Sequence, residues 1–470
     1  MLADTDVAHP PKHGPLPAFL DDEGEVTSEF LDLVTGGILA RDVAVLKDIC
    51  GDLHEADLGT LLEALDPDDR PRLIEIMGAD FDFAALTEVD DAVREEILEE
   101  LPNQAIADGV RDLDSNDAVY ILEDMAPEDQ DEILRQIPAN ERIAFARSLE
   151  YPEESAGRRM QVDLMAVPPF WTVGKTIDFM RETDDLPDQF YEIYVVDSAH
   201  KLIGIVPLNR LLRAKRPARI EAIMLDADHV AVVTEDQEEV ARLFQTYNLV
   251  SIPVVDDTQR LVGSLTFDDI TDVIDQEVDE DILSMGGVNA EEELSDKVFI
   301  TVRSRFSWLF INLLTAFSAS AVIGFFEASL EKMVALAVLM PIVASMGGNA
   351  GTQTMTVTVR ALATKELNSS NTLRVVRREI LVGLFNGIWF AAIVGLVAAF
   401  AFGPMQLGVV IGIALMVNLL AAALAGVLIP LALDRMKIDP ALASGTFVTT
   451  VTDLTGFFVF LGTATLWFGL

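Results

Sequence analysis

The 470-residue chain has one cysteine, Cys50. That excludes an internal disulfide and any thiolate cluster. Histidine is almost as scarce: His9, His13, His54, His200 and His229 are scattered, and none lies beyond residue 295. This argues against a zinc or copper site. Basic charge is also short, with 33 Lys+Arg (only nine of them Lys) against 77 Asp+Glu. The shortage is uneven. Residues 1–295 carry 22 basic and 69 acidic side chains, a net of −47, whereas residues 296–470 carry 11 and 8, a net of +3. So acidic a first part repels nucleic acid and disfavours docking on anionic lipid. It suits cations. It equally suits adaptation to a salty habitat, and the two explanations are compatible. The first 25 residues lack the charged-then-apolar pattern of a secretory signal. Their Pro and Asp content predicts a disordered tail.

A second absence is more telling. Leu381–Leu433 holds no Asp, Glu, Lys or Arg over 53 residues. About 20 apolar residues cross a bilayer as a helix, so this run holds two spans, broken near Gly403-Pro404. Further spans are expected at about 306–326, 333–359 and 442–469, with the middle pair at about 378–402 and 406–433. Lys297, Arg303, Arg305, then Arg360, Lys365, Arg374, Arg377, Arg378, then Arg435 and Lys437 mark alternate connections. Basic loops stay on the cytoplasmic side. The acidic region and the N-terminus are therefore expected in the cytoplasm, and Leu470 outside.

The soluble part is repetitive. Leu53, Leu65, Met77, Val89, Leu101, Leu113, Met125, Ile137 and Leu149 recur every 12 residues, and Leu62, Ile74, Leu86, Leu98, Val110, Leu122 and Leu134 precede the beat by three. Apolar pairs at i and i+3 share a helical face, and breakers or caps such as Asp66-Pro67, Pro102, Asp114-Ser115 and Pro138 follow the beat. The pattern predicts a solenoid of short helices over 26–155. Residues 160–275 repeat with an offset of 59: Met165 with Met224, Tyr194–Asp197 with Pro253–Asp256, Gly204 with Gly263, Leu211-Leu212 with Ile270-Thr271. Each copy reads as a small α/β unit, at 156–218 and 219–275, followed by a connecting segment at 276–300 and a membrane domain at 301–470.

Four motifs carry a resemblance. They are YPEESAGRRM at Tyr151–Met160, FDDITDVIDQEVDEDI at Phe267–Ile282, GGNAGTQT at Gly347–Thr354 and DPALASGTFVTTVTDLTGF at Asp439–Phe457. The doubled α/β unit resembles a tandem CBS pair. With the helical repeat before it and five spans after it, the chain resembles the MgtE family of magnesium channels over about residues 30–470. The resemblance implies a multidomain membrane protein: an α-helical solenoid N-domain, an α/β CBS pair, a linking helix, and an all-α five-span domain. It also implies a homodimer in the bacterial inner membrane, with the pore on the two-fold axis.

Asp453 is the only charge from Pro440 to Leu470. A charge at mid-membrane costs about 2.5–3.5 kcal/mol on insertion scales, so it must face a bundle interior, water or a basic partner. Thr446, Thr449, Thr450 and Asp453 share one helical face. The resemblance makes Asp453 the pore acid, with Thr449, Gly445 and Asn349 as further lining. For GGNAGTQT two readings stand: the glycines allow close helix contact, or they unwind the helix so that Asn349 and carbonyls line the path. Asn349 as an interhelical hydrogen bonder remains open beside that, and Asn418 reads as packing ahead of pore.

The acids at Asp268–Asp281 repel one another on a helix, and divalent cations would relieve this. The resemblance implies that cytosolic Mg²⁺ binds Asp269, Asp272, Glu277, Glu280 and Asp281 and closes the pore; the plain alternative for each is a solvated acid. Thr266 and Asp269 also match a ribose-binding pattern, so one adenine nucleotide (ATP) per subunit fits. Competing readings are a secondary transporter of divalent cations (Mg²⁺, Mn²⁺, Co²⁺) and a non-conducting nucleotide sensor. No nucleophile–base pair, phosphate loop or HExxH suggests an enzyme.

Overall fold

The computed structural model describes residues 17–183, 186–187, 190–289, 292, 298–367 and 370–469. The chain divides after Asp275 into two units. In the first, helices α1 (Ser28–Ala40), α2 (Val43–Cys50), α3 (Glu55–Ala64), α4 (Arg70–Met77), α5 (Asp91–Glu100), α6 (Asn103–Val110), α7 (Ser115–Glu123), α8 (Pro127–Gln136) and α9 (Ala139–Leu149) stack around one core. The residues expected to be a disordered tail fall mostly outside the described part. Residues 17–25, however, are held: Leu20 bridges Val26, and Phe19 packs edge-on against Phe30.

The 12-residue beat marks helix ends. Leu65, Leu101 and Ile137 are the C-caps of α3, α5 and α8, and Met77 and Leu149 end α4 and α9. The row three residues earlier, from Leu62 to Leu134, is buried throughout. One repeat departs from the α form. After Gly78 (φ +53°), the chain makes a 3₁₀ turn at Phe83–Thr87 instead. Short helices leave C-terminal carbonyls unsatisfied, and the stack solves this repeatedly. Arg70 Nε donates to Leu62 O (2.9 Å), Arg94 Nη1 to Leu86 O (3.4 Å) and Gln130 Nε2 to Leu122 O (2.8 Å). Each donor comes eight residues after the carbonyl it serves.

After α10 (Ala156–Arg159), the CBS pair forms two three-stranded sheets: β1 (Ala166–Val167), β2 (Glu192–Val196) and β3 (Leu202–Pro207); then β4 (Ala231–Val232), β5 (Ser251–Val255) and β6 (Leu261–Thr266). In each the first pair is parallel and the second antiparallel. Helices α11 (Val173–Glu182), α12 (Leu208–Arg213) and α13 (Gln237–Tyr247) complete the units. The Met165–Met224 match fails. The stretch between α11 and β2 is longer than that between α13 and β5, so the repeat offset is not constant along the pair. Met224 is instead the counterpart of Met160. A Cβ on Gly204 would meet Met224 Sδ at 3.2 Å, and one on Gly263 would collide with Met160 Sδ. Leu225 bridges Ile205 of the first sheet, and Gln161 bridges Ser264 of the second. Each unit's leading segment thus pairs with the other unit's sheet, so the repeats are interlocked rather than merely packed together.

Helix α14 (Phe267–Gly286) follows β6 directly. The second unit holds the long helices α15 (Val298–Phe325), α17 (Val334–Ala363), α18 (Thr372–Phe402), α19 (Met405–Arg435) and α20 (Pro440–Phe468), with a short α16 (Glu327–Lys332). Five of these are long and apolar enough to cross a membrane. The break at Gly403-Pro404 is where expected, with Gly403 at φ +90°. The interior is α19: 61% of its most apolar window is buried, against 6% for α15.

Candidate ion site

Of the two readings of GGNAGTQT, the unwinding does not occur. Helix α17 runs unbroken through it, although Pro341 removes one ladder donor. The glycines serve close contact instead. Gly347 lies against Asn418 of α19, and a Cβ on Gly351 would stand 2.5 Å from Val448 Cγ1 of α20. Asn418 is fully buried and its Nδ2 donates to Val343 O at 2.9 Å, binding α19 to α17. Gly456 of α20 closes on the same amide. Asn418 is therefore a packing residue at a three-helix junction. Asn349 makes no bond to another helix among the described residues. It is exposed, and its Nδ2 lies 3.4 Å from Ser345 Oγ one turn back.

On α20, Gly445, Thr449 and Asp453 follow at i, i+4 and i+8, one above another. Thr449 is exposed and Asp453 half-buried. Among the described residues no Lys or Arg pairs with Asp453, so the basic-partner explanation of this carboxylate is not seen. The threonine hydroxyls bond backward along the helix: Thr449 Oγ1 donates to Gly445 O (2.9 Å) and Thr450 Oγ1 to Thr446 O (2.7 Å). Thr446 Oγ1 also reaches Asn312 Oδ1 of α15 at 2.9 Å. At the start of the stripe sits the end of α14. A Cβ on Gly445 would meet Met285 O at 3.9 Å, and Met285 packs against the buried cluster that includes Met355 and Val448. One turn earlier, Asp281 is half-buried, and burial followed by the charge of Asp439 pushes its carboxyl above the usual range.

A second acidic group in this unit escaped the sequence reading. The Glu379 side chain is only 12% exposed, and Thr354 Oγ1 of α17 lies 3.4 Å from its Oε2. A lone acid directly after Arg377-Arg378, ahead of the long uncharged run that ends at Leu433, was the available signal.

Within the first unit, Asp269 meets the solenoid. Thr266 N and Oγ1 donate to Asp269 Oδ2 (2.7 and 2.6 Å), the reciprocal half of a capping box at the start of α14. Asn116 Nδ2 of α7 donates to Asp269 Oδ1 at 2.8 Å. Burial, outweighing the Thr266 bonds, pushes Asp269 up to about 7. Burial and then the charge of Asp269, with Asp114, Glu55 and Asp272 behind, push Asp117 up to about 7 as well. Asp272 is raised by burial and by Asp268 and Asp275, and Glu88 by burial and Asp272. The solenoid acids Glu55, Glu88, Asp114 and Asp117 were not singled out from sequence, where Asp114-Ser115 reads simply as a helix start. Glu277 and Glu280 lie further along α14, with Gln276 Nε2 donating to Glu280 at 3.1 Å. Among the described residues no three carboxylate, imidazole or thiolate groups converge closely enough to hold a bare metal ion.

Residues 340–463 match the MgtE divalent cation transporter family, 53–154 its intracellular N domain, and 156–216 and 220–276 the CBS domain. The chain is 34% identical over 322 residues to the magnesium transporter MgtE of Enterococcus faecalis, covering 68% of this chain and 70% of that one. The chain belongs to the MgtE magnesium transporter family. The MgtE of Bacillus subtilis is 28% identical over 430 residues, 91% of this chain and 95% of its own length. Among solved structures, the cytosolic domain of the Mg²⁺ channel MgtE in complex with ATP is 26% identical. It covers 52% of this chain and 99% of its own, with a TM-score of 0.47. The architecture read from the motifs, a helical N-domain, a CBS pair and a five-helix membrane domain, is thus an MgtE architecture.

Proposed function

We propose that the chain is a Mg²⁺ channel whose ion path follows the Gly445–Thr449–Asp453 face of α20. The observation that carries this is Asp453: a half-buried carboxylate, unpaired among the described residues, on a helix otherwise fit for lipid. Mg²⁺ dehydrates reluctantly and is held by one or two carboxylates through retained water. In a homodimer with the path on its two-fold axis, two Asp453 side chains would face one hydrated ion. Asn349, exposed on α17, would join the lining. With the N-terminus cytoplasmic and the C-terminus outside the inner membrane, the potential drives import, worth roughly 4–5 kcal/mol per 100 mV for a divalent ion.

Cytosolic Mg²⁺ closes the path in this reading. It neutralises the acids around Asp117, Asp269 and Asp272, and those at Glu277, Glu280 and Asp281, the last facing Asp439. Relief of that repulsion seats α14, whose Met285 stands beside Gly445. Because no tight ligand triad exists among the described residues, regulatory ions would bind as hydrated species. ATP enters the proposal only where its ribose displaces the Thr266–Asp269 cap.

Mg²⁺ uptake into liposomes, wild type beside Asp453→Asn, tests the reading, with folding and dimerisation checked for both. Uptake by wild type and a loss of at least tenfold in the variant is expected. Equal uptake by both would remove Asp453 from the path, and flux strictly coupled to a counter-ion would favour the secondary transporter.

A further inference from the structure

Packing alone does not account for Asn418. It is fully buried on α19, and its Nδ2 donates to Val343 O of α17 at 2.9 Å. Its Oδ1 is buried with no hydrogen-bond partner among the described residues. Burying an amide oxygen unpaired costs free energy, so an apolar side chain would fill this position more cheaply. What the amide adds is direction. Helix faces made of glycine and alanine carry nothing that fixes how far one helix slides along another. One buried amide bonded to one carbonyl does fix it, and a polar residue in an apolar seam specifies register at some cost in stability.

Asn418 pins two helices at once. Gly347 of α17 leaves no room for a Cβ beside the amide, and a Cβ on Gly456 of α20 would stand 2.7 Å from Nδ2. Helices α17 and α20 run antiparallel, since Gly351 lies against Val448 and Thr452 while Gly347 and Gly456 meet at Asn418. From that pin, Asn349 is two residues onward along α17 and Asp453 three residues back along α20, both toward the Gly351–Thr452 contact. At about 1.5 Å per residue these are rises of about 3 Å and about 4.5 Å in the same direction, so Asn349 and Asp453 stand within roughly 2 Å in height. A two-fold axis along the path preserves height, so the match holds for both subunits of a dimer.

We infer that Asn418 is a positioning residue of the ion path: its amide sets the register of α17 against α20 and so keeps Asn349 and Asp453 at one level. This rests on reading the Asp453 face of α20 as the path, and it adds what a lone carboxylate does not supply, a basis for selectivity. Mg²⁺ holds a near-ideal octahedral shell and gives up water reluctantly, whereas Ca²⁺ takes more ligands in a looser geometry. Groups fixed at one level fit the first shell. Groups free to slide along the path accept the second as well. Discrimination between the two ions then depends on Asn418, which touches neither.

Uptake of Mg²⁺ and of Ca²⁺ into liposomes by the full chain tests this, for wild type, Asn349→Ala, Asn418→Leu and the double variant, with melting in detergent confirming that each folds. Leucine keeps the branched shape without the hydrogen bond; Asn418→Ala, which cannot overpack, replaces it if the leucine does not fold. The Mg²⁺:Ca²⁺ uptake ratio should fall roughly fivefold or more in Asn418→Leu, because a site must be held to within about 0.5 Å to discriminate. It should fall by a similar factor in Asn349→Ala and no further in the double variant, as for two residues acting through one alignment. A folded Asn418 variant with the wild-type ratio would overturn the inference, as would a double variant whose losses multiply, or a wild type that does not distinguish the ions. Asn349 is exposed, so an unchanged ratio in Asn349→Ala overturns it whatever the Asn418 variants do. The path reading fails separately: Asp453→Asn taking up Mg²⁺ like wild type would dismiss the path and this inference with it, whereas an inactive Asp453→Asn beside unchanged ratios in the other variants dismisses the inference alone.

Discussion

Replacing Asp117 with Asn should stabilise the protein above pH 7 and do little below pH 4. In the folded chain, burial and the charge of Asp269 push Asp117 up to about 7 from 3.8. Between those values the folded state holds a proton that the unfolded chain has released. Stability therefore falls as pH rises from about 4 to about 7 and is flat beyond. Each pH unit in that window is worth about 1.4 kcal/mol, which sets a ceiling of roughly 4 kcal/mol. Asp117 and Asp269 raise each other's protonation, so one proton is counted for the pair. Relaxation of the seam reduces the observable gain to ~1–3 kcal/mol, at about 2–4 °C per kcal/mol for a unit of this size. Thermal unfolding in detergent with EDTA, from pH 4 to pH 8, measures it. The two melting curves should coincide near pH 4, separate progressively up to about pH 7 and stay apart beyond it, with Asp117→Asn the more stable. Added Mg²⁺ at pH 8 should narrow the gap by raising wild type. A constant offset at every pH, or a variant less stable at pH 8, would refute the argument that Asp117 is a buried, repelled carboxylate.

Two further outcomes follow from packing. Cys50 is 2% exposed and its thiol is pushed up to about 12 by burial, so maleimide should leave the native protein unlabelled and add one equivalent after denaturation. Gly347→Ala should destabilise the membrane domain by ~1–3 kcal/mol, because its Cβ would collide with the buried, hydrogen-bonded Asn418 amide. Gly348→Ala, with open space at that position, should be nearly neutral; detergent melting of the pair reads the contrast.

What the sequence disclosed was whatever rests on local periodicity. The row three residues ahead of the 12-residue beat is buried throughout, and the beat falls on a helix end or C-cap at Leu65, Met77, Leu101, Ile137 and Leu149; both are set by neighbours three or four positions away. The five spans are equally local, being a matter of length and missing charge. What it concealed depends on contacts between distant segments. Arg70, Arg94 and Gln130 look like surface residues until the next helix is seen to bring them under a carbonyl. Met160 and Met224 correspond only once the two CBS units are seen to exchange their leading segments, and unequal connections hide that from a fixed offset. Gly347 and Gly351 look the same whether a helix is to unwind or to be approached closely; Asn418 and Val448 decide it. Asp117 reads as a first-turn acid because Asp269, its neighbour in space, is over 150 residues away.

Asp269 shows how such contacts rank competing roles. It is the helix cap seen here, and two proposed roles, cation ligand and ribose ligand, compete with that one. Its Oδ2 already accepts two donors from Thr266 and its Oδ1 one from Asn116. A ribose at Thr266 would have to break the cap, at a cost of about 1 kcal/mol, and strand the Asn116 amide. A hydrated cation need not. It can sit over Asp117 and Asp272 and act on Asp269 through its field, deprotonating it while leaving all three bonds in place. In that arrangement Asp269 transmits the cation's arrival, and the ligands in contact with its water shell are the acids on either side.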